Sequence, residues 1–160
     1  MQTLKLMFKR LFILLFILIN AYCLTNLLTG GSYCQHFRLN SSNSLPFYLF
    51  TASPIDSLER GMYVSFSHSF ANQDLLKQIV GMPGDQITIH QQHVFINGQD
   101  YGYIYETSLS GFSLSPILEG IIPEGFVFVH ATHPQSFDSR YAEFGLVAKE
   151  HLKERLWPIF

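Results

Sequence analysis

The sequence predicts a mostly β domain, built from antiparallel strands, behind a single N-terminal membrane helix. An apolar run follows a basic N-terminus. Most of the chain after the apolar run consists of short segments that alternate in hydrophobicity and are separated by turns rich in Gly, Pro and Asn. Beyond the apolar run, only residues 143–156 have a composition that suits a helix of any length. Roughly 125 residues follow the membrane segment, which is enough for one domain with its own core.

The N-terminal prediction is a basic segment at residues 1–10, a transmembrane anchor at 11–28 and a juxtamembrane linker at 29–39. The anchor is close to the roughly 20 apolar residues that a membrane-spanning helix needs. The anchor is preceded by three basic residues and no acidic one: Lys5, Lys9 and Arg10. This charge distribution predicts a cytoplasmic N-terminus. A cleaved signal peptide is the alternative, but residues 20–22 (Asn-Ala-Tyr) lack the small-x-small pattern of a cleavage site.

Charge and cysteine content limit the partners that we expect. Apart from the three basic residues before the anchor, the chain carries seven Lys or Arg against twelve Asp or Glu. Nucleic-acid-binding domains normally present a basic patch, so we expect no nucleic-acid partner. Cys23 and Cys34 are too few for a disulfide scaffold or a zinc site. A disulfide between them is an alternative in an oxidising compartment, but two separate thiols are the favoured interpretation.

Residues 40–160 are predicted to form the β domain. Its clearest element is a hairpin at residues 86–96, which alternates around Gln91-Gln92 and ends in the turn formers Asn97-Gly98. Further strands are predicted at residues 47–50, 60–66 and 126–129. Residues 100–122 are punctuated by Gly and Ser and are predicted to form a long loop or flap.

Three polar stretches of this domain contain groups that suit catalysis: Ser44 in a serine-rich segment, Lys77 between apolar residues, and the run Ser136–Arg140. A serine hydroxyl needs a base to take its proton. A lysine amine is a base only when neutral, which requires burial among apolar groups. Taken singly, each stretch has a simpler interpretation: a turn serine, a solvated lysine at a strand end, and an exposed polar turn. No Gly-x-Ser-x-Gly motif surrounds any serine, and a Ser-His-Asp triad stays open because the chain has seven histidines.

Together and in this order, the three stretches resemble the motifs of type I signal peptidases, and more closely those of the conjugative-transfer, TraF-type branch that matures pilins. Asn40-x-Ser42-x-Ser44-x-Pro46 is similar to that branch's Asn-x-Thr-x-Ser-x-Pro motif. Lys77 with Gln78–Asp85 is similar to the shared lysine motif, and Ser136–Tyr141 to Ser-Phe-Asp-Ser-Arg-Tyr. The resemblance extends over about residues 8–160 and includes the C-terminal Arg155–Pro158.

The resemblance implies a signal-peptidase-like antiparallel sheet and a serine endopeptidase with Ser44 as nucleophile and Lys77 as general base. It also implies an oxyanion hole formed by the Ser44 backbone N–H and the Ser42 hydroxyl, which fits the need for two donors aimed at a developing oxyanion. Supporting roles are implied for three further residues. Ser136 is implied to position Lys77, and Asp138 and Arg140 to form a structural ion pair. No cofactor and no metal is expected.

The same resemblance implies a bacterial inner-membrane protein with its catalytic domain on the periplasmic side. The expected substrate is a secreted precursor protein, a pilin precursor above all. The other expected partners are membrane lipid and components of a conjugation or type IV secretion apparatus. The acyl-enzyme would be resolved either by water or by the substrate's own amine, which would give a cyclic pilin, and the sequence leaves both outcomes open.

Two departures from the family pattern favour an alternative function. Tyr48 and Met62 stand where the family usually has Gly and Asp. The Ser-Arg-Tyr motif also reaches its Phe-Gly two residues late, which suggests a shifted loop near Arg140. The alternative is a non-catalytic, membrane-anchored scaffold component of a secretion or conjugation apparatus. A self-cleaving regulator is a weaker third option, because no DNA-binding segment precedes the domain.

Two histidine pairs invite a metal interpretation that we do not favour: His90-x-x-His93 and His130-x-x-His133. Residues three apart on a strand point to opposite faces. No cysteine or third clustered ligand accompanies either pair, so surface or turn histidines are expected.

Overall fold

The computed structural model describes residues 2–28, 37–42 and 44–159, which fall into two compact units, residues 1–37 and 38–160. The first unit contains helix α1 (Gln2–Leu28). Within the described part of the chain, no helix combines the length and the hydropathy required to cross a membrane. Cys23 lies on α1, whereas Cys34 lies outside the described residues together with most of the predicted linker.

Eleven strands are described after α1, in agreement with the mostly β prediction. Their bounds are β1 Phe37–Leu39, β2 Leu49–Ser53, β3 Tyr63–Phe66, β4 Leu75–Gly81, β5 Gln86–His90, β6 His93–Ile96, β7 Gln99–Tyr103, β8 Gly120–Ile121, β9 Phe126–His130, β10 Val147–Ala148 and β11 Leu152–Pro158. They form a seven-stranded sheet in the order β1-β2-β11-β3-β4-β9-β10 and a four-stranded sheet in the order β7-β6-β5-β8. The described pairings are antiparallel, as predicted.

The prediction of a helix at residues 143–156 is wrong. Its last five residues belong to β11, which is preceded by β10 and by one short 3-10 turn at Lys149–His151. β11 lies between β2 and β3 and pairs with both, and its Leu156 is buried in the core. Sheet hydrogen bonds on both edges therefore override a sequence composition that locally tolerates a helix.

The hairpin prediction is confirmed, with β5 and β6 joined by Gln91 and Gln92, both at positive φ. His90 and His93 are direct partners across this turn, so the expectation that they face opposite sides is wrong: partners in an antiparallel pair share a face. Among the described residues, no group of three metal-ligating side chains is found. The predicted flap at 100–122 is a loop at its centre, but β7 and β8 occupy its ends.

The core lies on the inner face of the seven-stranded sheet and continues under the four-stranded one. Its fully buried members come from β3, β4, β6 and β9 and include Val64, Ile79, Val94 and Phe128. At the end of β4, the Asp85 carboxylate accepts hydrogen bonds from Met82 N (2.6 Å), Arg60 and Asn97. These bonds fix the turn after β4, the strand that carries Lys77.

Candidate active site

The loop before β2 folds around Asn40 and presents Ser42 and Ser44. The Asn40 side-chain amide donates to the carbonyl oxygens of Phe47 (3.0 Å) and Leu45 (3.4 Å), and its Oδ1 accepts from Ser42 N (3.2 Å) and Ser42 Oγ (2.8 Å). Ser42 Oγ lies 2.7 Å from Ser44 Oγ and 3.4 Å from Ser44 N. The two hydroxyls implied as nucleophile and oxyanion donor are therefore hydrogen-bonded to each other.

Lys77 is a buried lysine in the middle of β4, only 6% exposed. Its register partner on β3 is the fully buried Val64. Burial lowers the pKa of Lys77 below its ordinary value of 10.5, and the positive charge of Arg140 adds to this effect, while Asp138 opposes it. The surroundings therefore favour the neutral amine, which is the form that can act as a base.

The Ser136–Arg140 run forms a buried turn held by an ion pair. Asp138 and Arg140 are 0% and 1% exposed, with Arg140 Nε 2.8 Å from Asp138 Oδ1 and Arg140 Nη2 3.1 Å from Asp138 Oδ2. Asp138 also accepts from Ala131 N at 3.0 Å, and Arg140 donates to Ser136 O at 2.9 Å. The pair thereby fastens the turn to the end of β9.

The end of β9 also holds the Ser44 loop. Ser44 O accepts hydrogen bonds from His133 N and Thr132 Oγ1, both at 3.3 Å. Ser136 N donates in turn to His133 O at 3.0 Å. Residues 132 and 133 therefore connect two stretches that lie more than 90 residues apart in sequence, a connection that the motifs alone do not reveal.

Ser44, Lys77 and Ser136 line a single open cavity of about 760 Å³. Ser41 and Ser42 line it too, and much of the remaining wall is apolar: Leu39, Phe70, Leu75, Leu109, Phe137 and Phe144. Leu109 comes from the central loop between β7 and β8, so the segment predicted as a flap contributes to the cavity. An apolar cleft with a few convergent polar groups is typical of a binding or catalytic site.

The hydrogen bonds within the cavity differ from the implied roles in one respect. Among the described residues, Lys77 Nζ makes no hydrogen bond to Ser44 or Ser136 within 3.5 Å, and the described partner of Ser44 Oγ is Ser42. Catalytic hydrogen bonds often tighten only when substrate binds. The fold thus brings the described residues Ser44, Lys77 and Ser136 to one cavity without a direct hydrogen bond between Lys77 and either serine.

Neither Tyr48 nor Met62 lies on the cavity wall. The Tyr48 side chain is 60% exposed, and its backbone oxygen accepts from Asn40 N at 2.9 Å. Met62 is buried in the core cluster of β3, β4 and β9. Neither residue is among those that line the cavity, so these substitutions leave the cleft around Ser44 and Lys77 open.

A serine hydroxyl and a buried lysine that line one apolar cleft have the chemistry of an acyl-transfer site in which lysine serves as the base. A family model described as signal peptidase, peptidase S26, matches residues 4–157. The chain belongs to this signal peptidase family.

Curated relatives come from two kinds of bacterial protein. A conjugal transfer protein TraF of Agrobacterium fabrum is 30% identical over 88 residues, covering 54% of this chain and 48% of the relative. A probable signal peptidase I-2 of Synechocystis is 26% identical over 111 residues, covering 63% of this chain and 49% of the relative. The chain therefore spans about half the length of the curated relatives that it matches. A crystal structure of a signal peptidase I from Enterococcus faecalis aligns with a TM-score of 0.44 at 23% identity, covering 64% of this chain and 99% of that one.

Proposed function

We propose that the protein is a membrane-anchored endopeptidase that uses a Ser44/Lys77 dyad to cut a secreted precursor protein. The observation that supports this most is the shared cavity: Ser44 and Lys77 line it together, and burial lowers the pKa of the lysine. Neutral Lys77 takes the proton of the Ser44 hydroxyl as Ser44 Oγ attacks the scissile carbonyl carbon. Ser136, buried on the same wall, orients the amine.

The tetrahedral intermediate carries its negative charge on the former carbonyl oxygen. Ser44 N–H and the Ser42 hydroxyl are the donors that we assign to it, since Ser42 Oγ lies 2.7 Å from the nucleophile oxygen. When the intermediate collapses, the C–N bond breaks and protonated Lys77 returns its proton to the leaving amine. The acyl-enzyme ester is then resolved by an acyl acceptor, and Lys77 removes a proton from that acceptor as it attacks.

The substrate that we propose is a pilin precursor of a conjugation apparatus. Support comes from the relatives named as conjugal transfer proteins and from the motifs Asn40–Pro46 and Ser136–Tyr141. Residues 11–28 would anchor the protein in the bacterial inner membrane, where membrane lipid and components of a type IV secretion apparatus are its further partners. The catalytic domain would then act on the periplasmic side.

Labelling with a penem-type acylating probe tests the dyad directly in the full-length chain in detergent. Wild type is expected to form a covalent adduct, and both Ser44→Ala and Lys77→Met are expected to lose it. Matched controls are Ser41→Ala, an exposed serine on the same cavity wall, and Lys153→Met, an exposed lysine paired with Asp74. Unlabelled wild type would contradict the dyad and leave the non-catalytic scaffold as the better assignment. Full labelling of Lys77→Met would instead exclude Lys77 as the base while keeping a reactive serine.

The intact mass of the candidate pilin separates two fates of the acyl-enzyme. A shortened linear pilin in wild-type cells indicates hydrolysis, whereas a shortened pilin lighter by one water indicates attack by the substrate's own amine. Either product is expected to disappear in cells with Ser44→Ala. The same pilin mass in both strains would overturn the substrate assignment while leaving the labelling result intact.

A further inference from the structure

Asn40 is a buried amide, 7% exposed, whose four side-chain hydrogen bonds all stay within the nucleophile loop. Its Nδ2 donates to two backbone carbonyls, those of Leu45 and Phe47. Since both acceptors are carbonyls, the amide orientation is fixed and Oδ1 must face Ser42. An amide oxygen has no hydrogen, so at 2.8 Å it receives the hydrogen of the Ser42 hydroxyl.

This assignment determines the direction of the next hydrogen bond. A serine hydroxyl has one hydrogen, and Ser42 gives it to Asn40. Ser42 Oγ must then accept from Ser44 Oγ, 2.7 Å away. The chain of donation therefore runs from Ser44 to Ser42 to Asn40, and Asn40 is its terminal acceptor.

We propose that Asn40 is a positioning residue that holds the Ser42 hydroxyl beside the nucleophile, from where it turns to the oxyanion during acyl transfer. This proposal rests on the proposed function of Ser44 and Ser42. Asn40 fixes Ser42 through two bonds, one to its backbone N–H (3.2 Å) and one to its hydroxyl. Without Oδ1, the described partners left to Ser42 Oγ are Ser44 Oγ (2.7 Å) and Ser44 N (3.4 Å), both of the reacting residue itself.

A double-mutant cycle with the penem-type probe tests whether Asn40 acts through Ser42. Removal of one oxyanion donor lowers the acylation rate by about 100- to 1,000-fold, so Ser42→Ala is expected to fall in this range. We expect Asn40→Ala to lower the maximal acylation rate at least about tenfold, with the half-saturating probe concentration nearly unchanged. The Asn40→Ala/Ser42→Ala double variant is expected to acylate no more slowly than Ser42→Ala alone. Losses that multiply in the double variant would overturn the proposal.

Asn40→Asp separates positioning from loop stability. An aspartate keeps Oδ1 for Ser42 but replaces the donor to Leu45 O and Phe47 O with a second acceptor, which weakens the loop. We therefore expect Asn40→Asp to retain more of the acylation rate than Asn40→Ala, even where its melting temperature is lower. Acylation rates that simply follow the melting temperatures would assign Asn40 a structural role only.

Two controls distinguish failure of this proposal from failure of the dyad. Gln99→Ala, which removes an exposed amide side chain of β7 that does not line the cavity, is expected to acylate at the wild-type rate. Unlabelled wild type would overturn the proposed function and this proposal together. Labelled wild type with a multiplicative cycle would overturn the role of Asn40 alone.

Discussion

The buried pair of Asp138 and Arg140 gives the largest stability prediction. In Asp138→Ala, the Arg140 guanidinium stays buried without its counter-charge, and four donors lose a carboxylate acceptor: Arg140 N, Arg140 Nε, Arg140 Nη2 and Ala131 N. Removal of one partner from a buried ion pair costs about 3–5 kcal/mol. Arg140 keeps backbone acceptors, among them Ser136 O at 2.9 Å. The expected loss for Asp138→Ala is therefore near the lower end, about 3 kcal/mol.

The double variant Asp138→Ala/Arg140→Met tests the physical cause. It removes both charges, so the penalty of an uncompensated buried charge disappears, although the carbonyls that Arg140 served lose their donor. We expect the double variant to be about as stable as the less stable single variant, with a coupling of up to about 3 kcal/mol. A loss equal to the sum of the single losses would refute the reasoning.

Urea unfolding of the full-length chain in detergent, monitored by the fluorescence of its single Trp157, measures these losses. The slope of the transition must stay constant across the variants, so that midpoints report the free energy of unfolding. Asp74→Ala serves as the control, because Asp74 pairs with Lys153 at 2.6 Å on the surface, where such pairs contribute about 0–1 kcal/mol. A loss below about 1 kcal/mol in Asp138→Ala would equally refute the prediction.

Two further predictions concern β4, and urea unfolding measures both. Gly81→Ala is expected to cost about 1–3 kcal/mol, because an added Cβ would lie 2.5 Å from Ile122 Cδ1 and 2.7 Å from Phe128 Cβ; wild-type stability would contradict this. Lys77→Met is expected to raise the free energy of unfolding at pH 7, since the unfolded chain keeps the lysine proton that burial disfavours. That gain must shrink as the pH rises toward 10.5, where unfolded lysine also becomes neutral; a gain independent of pH would exclude the linkage.

The sequence predicts an element correctly where the residues of that element alone determine its structure. The hairpin at 86–96 follows from alternation around a turn and was predicted correctly. β11 was not, because Leu152–Pro158 becomes a strand only by filling the gap between β2 and β3. The prediction that His90 and His93 point to opposite faces fails for a related reason. The turn between them makes them partners across two strands, so the rule for neighbours along one strand does not apply.

The candidate site likewise has features that depend on local sequence and features that depend on long-range contacts. Each of the three motifs contributes a polar residue to the cavity wall, namely Ser44, Lys77 and Ser136. How the motifs meet is a long-range property, since Thr132 and His133 hold the Ser44 carbonyl and neither belongs to a motif. Asn40 lies between these cases: its place in the motif was visible in the sequence, but its bonds to Ser42 were not.

The burial of Lys77 has a cause that the sequence shows only in part. The sequence argument attributed its burial to the apolar residues on either side of it in the chain. In a strand, Leu75 and Ile79 lie on the same face as Lys77, whereas Leu76 points to the opposite face. Residues distant in sequence complete the surroundings of Lys77, among them its buried cross-strand partner Val64. The pKa of Lys77 is thus set by the packing of the sheet, and substitutions that loosen β3 against β4 should raise it even where the motif is intact.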